Sequence, residues 1–569
     1  MQPVAQRLGA VMLVLAVAAC GNSSGPNPPP TLTIDCTGAP VTTLAVGGFA
    51  ILDASQNGGC ARLPAAGAGG AEHLLIALSA SKTNSWTEGY NFRGKSLGAV
   101  AAPQPVASLP SPRLAAFSQP LNSLDFHQML REQEHGLAAS PAAHLFAAAP
   151  LGAPAPPVLN SQRSFWVCST TACTSFTSVT ATAKYVGAKG AIYLDNTVPT
   201  GGYTQQEIDT LGALFDSTAV PAVPNMYAID TTAFGRESDR DNNGVVIILL
   251  TDALNKLSPN CNTTQQVALG YFFGLDLISD AHSNNGEVFY SLVPDPNSTA
   301  TTNCTIPKAY AKSYLPPTFI HEFQHMISWN QHVIVGGSPN SEDTWLNEGL
   351  SHFAEELGGR ELPDDHRFGG AFSNGTPMTR LTQFAGGDFD NAFTYLTKPE
   401  TNFLVYDVGG GSLAERGAAW LFVRWLADHF GTDALGNGLT QPLVQTALRG
   451  AANVQSATGG TRFDTLVVEW QMANYFESDS TWVPLDSVLV YKTWNLQRNF
   501  VLNFGSYPLV PDLTSGTYSR SAKLRAGSGR HVRVVQGASA AAVDFQLSTQ
   551  TGTPLSATTA GRIGVVRIR

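Results

Sequence analysis

Charged side chains are scarce in this chain. Asp, Glu, Lys and Arg make up 13% of its 569 residues, too few for a disordered polyelectrolyte. Lys and Arg form no cluster and the formal net charge is -10, which argues against a nucleic-acid surface. No run of eighteen apolar residues occurs, so no stretch reads as a membrane-spanning helix. No C-x-x-C pair occurs either, which argues against a cysteine-rich zinc site. Turn formers are plentiful instead. With 54 Gly and 35 Pro the chain reads as loop-rich and partly β, and its 43% hydrophobic content supplies the cores of roughly three or four domains.

The first residues carry a targeting pattern. Arg7 precedes an apolar run from Leu8 to Ala19, too short to span a bilayer. The run ends Ala16-Val17-Ala18-Ala19-Cys20, small residues before a cysteine in the manner of a bacterial lipobox. Residues 1–19 are therefore expected to be a lipoprotein signal peptide, Cys20 the lipidated residue and 20–31 a Gly/Pro-rich tether. The alternative is an ordinary signal peptide cut near Ala19. Either way the protein is expected outside the cytoplasm. The lipobox reading places it at the outer membrane or cell surface, held by lipid alone or later released. Six cysteines remain, an even number that suits an oxidising compartment. Pairing in sequence order gives Cys36–Cys60, Cys168–Cys173 and Cys261–Cys304, which rests on proximity among fifteen connectivities.

The texture along the chain predicts an α+β protein. Residues 32–106 alternate short apolar runs with Gly clusters, as in a small N-terminal β-sandwich. Residues 107–160 are Ala/Pro-rich and linker-like, with a charged helix from Leu124 to His135 that reads as largely solvated, and with His127 and His135 on its surface. Such a segment before a folded domain is also a place where a preceding pro-segment is cut away. Residues 161–480 read first as packed α/β and then as mainly helical, and 481–569 as a C-terminal β domain. Asp239-Arg240-Asp241-Asn242-Asn243-Gly244 matches the first half of a calcium loop, with Asp239, Asp241 and Asn243 as ligands. Leu250 stands where the EF-hand glutamate would be, so a complete EF-hand is excluded. The plain alternative is an acidic turn feeding the apolar Val245–Leu250 strand.

The densest chemistry lies at His321-Glu322-Phe323-Gln324-His325, an H-E-x-x-H. On a helix, residues four apart share a face, so both imidazoles can reach one ion with Glu322 beside them. Pro316-Pro317 mark the expected start of that helix. The strand Val288–Val293 precedes it and, by analogy with zinc peptidases, is expected to hold substrate backbone. A catalytic zinc takes three protein ligands and keeps a fourth position for water. The metzincin continuation fails, because Ser328 and Gln331 stand where Gly and His are required. Glu348, 23 residues after His325 in Trp345-Leu346-Asn347-Glu348-Gly349-Leu350-Ser351, is the candidate third ligand, as in gluzincins. Glu322 is then the general base. His352 stands where thermolysin has a supporting Asp, so Glu355, Glu356 or His352 itself is expected to orient His321. Tyr395, Tyr406 and His366 are candidate oxyanion donors, and no spacing rule selects among them.

His321–Ile327, followed by Trp345–Ser351 and Ala354-Glu355, closely resembles the hyicolysin family of bacterial zinc metallopeptidases. Phe234–Thr251 and Arg416–Arg424 share the likeness, which extends from about Ser164 to Phe430. The resemblance implies a zincin-like catalytic domain with a mixed-sheet lobe and a helical lobe, flanked here by N- and C-terminal β-sandwich-like domains. It implies one Zn2+ held by His321, His325 and Glu348, and protein or peptide substrates. The competing reading is a non-catalytic zinc-binding surface or adhesion lipoprotein on the same scaffold. The intact Glu322 weighs against it.

Overall fold

The computed structural model describes residues 33–98, 124–144, 156–217, 224–258, 260–261, 267–301, 303–359, 380–407, 411–476 and 484–569. Cys20, the 1–31 segment and His366 lie outside them. Met1–Thr33 and Ile34–Arg569 are separate units. The strands of the second unit are β1 (Phe49–Asp53), β2 (Cys60–Leu63), β3 (Ala71–Ser79), β4 (Thr87–Ser96), β5 (Gln162–Cys168), β6 (Phe176–Val186), β7 (Gly190–Asp195), β8 (Val246–Leu250), β9 (Gly270–Phe272), β10 (Val288–Ser291), β11 (Asp512–Thr514), β12 (Tyr518–Arg525), β13 (Gly529–Gln536), β14 (Val543–Thr549) and β15 (Gly561–Arg567). Its helices are α1 (Leu124–Ala138), α2 (Pro141–His144), α3 (Gln205–Asp216), α4 (Met226–Phe234), α5 (Asp252–Lys256), α6 (Lys308–Trp329), α7 (Thr344–Gly358), α8 (Arg380–Thr397), α9 (Leu413–Phe430), α10 (Thr440–Val444), α11 (Gly450–Ala457), α12 (Phe463–Phe476) and α13 (Leu496–Phe504). Among the described residues no helix is long and apolar enough to cross a membrane.

The two expected flanking sandwiches are one sandwich. One sheet runs β1-β15-β3-β13-β11 and the other β12-β4-β14-β2, so strands from both ends of the chain interleave in each. β3 pairs with β15 on one edge and β13 on the other. Its apolar run Leu74–Leu78 is buried on both faces, as expected of a covered strand. Leu74, Ile76 and Leu78 face the helical core, while Leu75 and Ala77 face the sandwich interior. Each of the larger side chains contributes about 1.5–3 kcal/mol by leaving water.

The domain boundary at 480 also moves. α13 carries Leu496, Phe500 and Phe504 on one stripe, and Phe504 stacks on Phe393 of α8 with centroids 4.2 Å apart. The helical half therefore runs through α13, and the terminal β strands begin at β11. The 107–160 segment is not merely a linker. It holds α1 and α2, and Phe126, His127, Leu130 and Arg131 of α1 are buried.

The central sheet has the order β5-β6-β7-β8-β10-β9. β7, β8 and β10 are parallel, and β9 closes one edge antiparallel to β10. The strand expected to hold substrate backbone, within Val288–Val293, is β10. It is interior, with both edges used, and β9 is the edge strand on that side. The disulfides are Cys36–Cys60, Cys168–Cys173, which closes the β5–β6 turn, and Cys261–Cys304.

α6 does not start at Pro316-Pro317. It starts at Lys308 and carries both prolines inside. Each proline lacks the N–H that would bond the carbonyl four residues back. Those carbonyls belong to Lys312 and Ser313, and Gln383 Nε2 of α8 donates to both at 3.2 Å. Farther along, α7 is tied to α9 through Glu356. This fully buried carboxylate pairs with Arg424 at 2.9 Å and accepts from Trp420 and Trp494. Removing one partner of a buried pair leaves a charge uncompensated. Glu356→Ala should therefore cost roughly 3 kcal/mol, read as a lower urea midpoint at unchanged slope.

Candidate metal centre

α6 and α7 meet at three side chains. His321 and His325 of α6 and Glu348 of α7 each bring one ligand atom within 4.8 Å of the others, and all three are buried. The two imidazole Nε2 atoms face each other at 3.1 Å. Glu348 Oε2 lies 3.6 Å from His321 Nε2, and Oε1 lies 3.8 Å from His325 Nε2. Neither Glu348 oxygen makes a hydrogen bond among the described residues, although the residue is 0% exposed. Two facing nitrogens and an orphaned buried carboxylate are the pattern a cation would satisfy, so the donor set fits a divalent metal ion.

The surroundings hold these ligands in place. His321 Nδ1 is 2.8 Å from Glu355 Oε1. Glu355 lies seven residues after Glu348, two turns along the same face of α7. It is the carboxylate that occupies the orienting position. His352 does not touch that ligand in the same way. Its Nδ1 lies 3.0 Å from Glu355 and 2.8 Å from Asp388 of α8, so it supports the supporter. His325 Nδ1 is 3.1 Å from both Asn347 Oδ1 and Ser351 Oγ. Arg416 of α9 approaches Glu348 Oε2 at 3.1 Å. Gly417 lets α9 come this close to α8, since a Cβ there would lie 2.3 Å from the Asn391 carbonyl carbon.

The electrostatics agree with a cation at this spot. Burial alone would raise Glu348, but Arg416 and the two histidines hold it well below the usual carboxylate range. Burial, reinforced by Arg131, pushes His325 down, so its imidazole is neutral and free to donate a lone pair. Against burial, Glu348 and Glu355 hold His321 up at about 10. That field of negative charge favours a proton or a metal ion alike. Likewise burial opposes it, but Glu355 and Asp388 hold His352 up at about 9.

Glu322 lies beside the triad, 2% exposed, and its Oε2 accepts from Phe272 N of β9 at 2.8 Å. α6 presses directly on β9 there. Gly270 permits the approach, because a Cβ would lie 2.5 Å from Thr318 Cγ2 and 2.8 Å from the Tyr290 carbonyl oxygen. Burial pushes the Glu322 pKa up. Leu269, Gly270, Thr318, His321, Glu322 and His352 line a cavity beside the base.

A stretch of 188 residues, 33% of this chain, is 30% identical to the neutral metalloprotease ShpI of Staphylococcus hyicus. The chain is related to a metallopeptidase. The matched stretch spans 38% of that relative's length. No family model matches the chain.

The other sequence-derived residues sort by position. Tyr406 is buried with an unpartnered hydroxyl, and Glu348 and Arg416 are among its charged neighbours. Tyr395 is instead held away, its hydroxyl accepting from Gln471 and its ring stacked on Trp470. Asp239, Asp241 and Glu287 each bring one carboxylate oxygen within 4.8 Å of the others. Asn243 spends its amide on Asp241 Oδ2 and its oxygen on Val245 N. Glu287 is not legible in the sequence as a partner. It immediately precedes β10, and parallel neighbours β8 and β10 bring their entry loops together. Arg416 and Asp388 carry no local signal either, since both arrive from separate helices.

Glu355→Gln keeps the shape of the side chain while removing the charge that orients His321. It should weaken metal binding about 10- to 100-fold, measured by competition with a chromogenic chelator.

Proposed function

We propose that the protein is a zinc-dependent endopeptidase that hydrolyses peptide bonds of proteins outside the cytoplasm. The observation carrying this reading is the orphaned Glu348 carboxylate facing two histidine nitrogens, with Glu322 next to them. Two histidines and a carboxylate from two helices form a gluzincin-like set of hard and borderline donors that suits Zn2+. Bound there, zinc would polarise the scissile carbonyl and acidify a water.

The chain's own residues supply the rest. Phe272 N fixes one oxygen of Glu322 and leaves the other to take the proton of the attacking water. Glu322 then returns that proton to the leaving amine nitrogen. Glu355 and Asn347 keep the two imidazoles aimed inward. Of the described candidates we assign the developing oxyanion to Tyr406, whose buried hydroxyl has no hydrogen-bond partner among the described residues and which has Glu348 among its charged neighbours. Similarity to a neutral metalloprotease supports this reading over a non-catalytic scaffold. So does an intact Glu322, which metal binding alone does not need. Export as a lipoprotein through Cys20 belongs to the same proposal, and three disulfides suit such a compartment.

A second cation belongs at Asp239, Asp241 and Glu287. Glu287 is 1% exposed and its Oε2 has no hydrogen-bond partner among the described residues. Burial pushes its pKa up to about 7, and a hard cation such as calcium would relieve that cost.

Glu322→Gln should retain zinc at native stoichiometry and lose casein hydrolysis by about a thousandfold or more. Full activity in that variant would exclude the mechanism. Millimolar calcium should raise the thermal midpoint of the native chain by a few degrees, and Glu287→Gln should abolish that rise.

A further inference from the structure

The buried face of α1 is only partly a core face, with Phe126, Leu130 and Ala138 joining the main hydrophobic core. Phe126, His127, Leu130, Arg131, Glu134 and Ala138 are all buried, and half of them are polar or charged. A helix docked on a hydrophobic core turns an apolar stripe inward. Here the inward groups bond to two walls of the metal centre. Toward the sheet, Arg131 Nη2 donates to Phe272 O at 2.9 Å, and Glu134 Oε1 accepts from Gly274 N at 2.8 Å. Phe126 meets Tyr271 edge-on at 5.1 Å between centroids. Toward the helical half, His135 Nε2 lies 2.8 Å from Asp407 Oδ1, and its Nδ1 lies 2.8 Å from Ser341 Oγ. Between these walls Arg131 and Glu134 line one small cavity together with His325 and Asn347. Neither ring nitrogen of His127 has a hydrogen-bond partner, and Arg416, Glu348 and His321 are its charged neighbours.

The edge that α1 covers is the one a substrate would use. Among the described residues β9 pairs only with β10, so its outer edge carries no described strand. Phe272 lies on that edge. Its N–H goes to Glu322 and its carbonyl to Arg131. The N–H stays with Glu322, and the carbonyl that Arg131 occupies is a backbone acceptor of the kind an extended polypeptide uses when it adds itself to a sheet.

The geometry points to a latent resting state in which α1 is an internal strap filling the polypeptide-binding cleft beside the metal centre. Hydrolysis then requires its displacement. This rests on the peptidase reading above. Connectivity distinguishes the strap from a detachable N-terminal segment. α1 follows β4 and precedes β5, while β1 to β4 are woven into sheets with β12 to β15. A cut after α2 alone leaves α1 covalently joined to the sandwich. Loss of everything N-terminal to the cut would remove strands from both sheets. Displacement, or a cut on each side of α1, clears the cleft without that cost.

The test uses the full zinc-loaded chain. Arg131→Ala/Glu134→Ala removes the anchors to the sheet wall, His135→Ala removes the opposite anchor, and Glu132→Ala on the exposed face is the control. Hydrolysis of a short quenched peptide and amide exchange over residues 270–275 are measured together. Each anchor variant should raise kcat/KM about tenfold or more by raising the open fraction, and should speed exchange, whereas the control does neither. An active parent whose kcat/KM does not rise in either anchor variant overturns latency. Faster exchange in a chain that hydrolyses nothing in any form supports the strap and sinks the peptidase reading instead. If the double variant does not fold, His135→Ala carries the test.

Discussion

One buried carboxylate constrains the helical half of this protein. Glu348 sits at 0% exposure without a hydrogen bond to either oxygen, a placement that is costly unless positive charge surrounds it. Arg416 supplies one charge, and the His321–His325 pair offers a seat for another. Both must come close, so three helices must converge on one point. The packing shows that requirement. Gly417 brings α9 onto α8, and Gly349 brings α7 onto α9, where a Cβ would lie 3.0 Å from the Ala419 carbonyl oxygen. Small residues here are a consequence of where the charges must sit.

The same logic explains why the support extends so far from the ligands. His321 leans on Glu355, Glu355 on His352, and His352 on Asp388. Each link is buried, so leaving any one out would strand a polar group in a low-dielectric interior. On the opposite face of α7, Glu356 is answered by Arg424 and two tryptophans. Consecutive glutamates thus serve different elements, Glu355 the metal centre and Glu356 the α7–α9 contact. The helix turns successive side chains by about 100°, which is enough to separate those tasks.

How much the sequence reveals depends on the range of each interaction. His321, Glu322 and His325 are legible because i, i+4 spacing on a helix is a local rule, and Glu355 is reachable by two more turns. Arg416, Asp388 and Glu287 are not, because each arrives from a separate element. That Tyr395 bonds Gln471 and stacks on Trp470 is likewise invisible without coordinates. The charges of α1 suggest a solvated helix, yet Arg131 and Glu134 are bonded to backbone groups of the sheet edge. Those groups meet polar partners as expected, but the partners are peptide groups and not water. Pro316 and Pro317 mislead for a similar reason, since Gln383, over sixty residues away in sequence, satisfies the carbonyls they leave free.

The sandwich is the hardest case, and it bears on how the two halves act as one body. Strand pairing between residues nearly five hundred apart leaves no local trace, so two β-rich ends look like two domains. Sharing one sandwich makes chain closure part of the fold. β3 pairs with β13 and β15 in its own sheet and presents Leu74, Ile76 and Leu78 to the helical core. Arg562 of β15 pairs with Asp464 of α12, and His531 of β13 meets the Gln471 carbonyl at 3.0 Å. The terminal strands therefore buttress α12 directly, and α12 stacks Trp470 on Tyr395 and edge-on against Phe422 of α9. Since α9 carries Arg416 to Glu348, strands from both ends of the chain are linked by continuous packing to the charge balance of the metal centre.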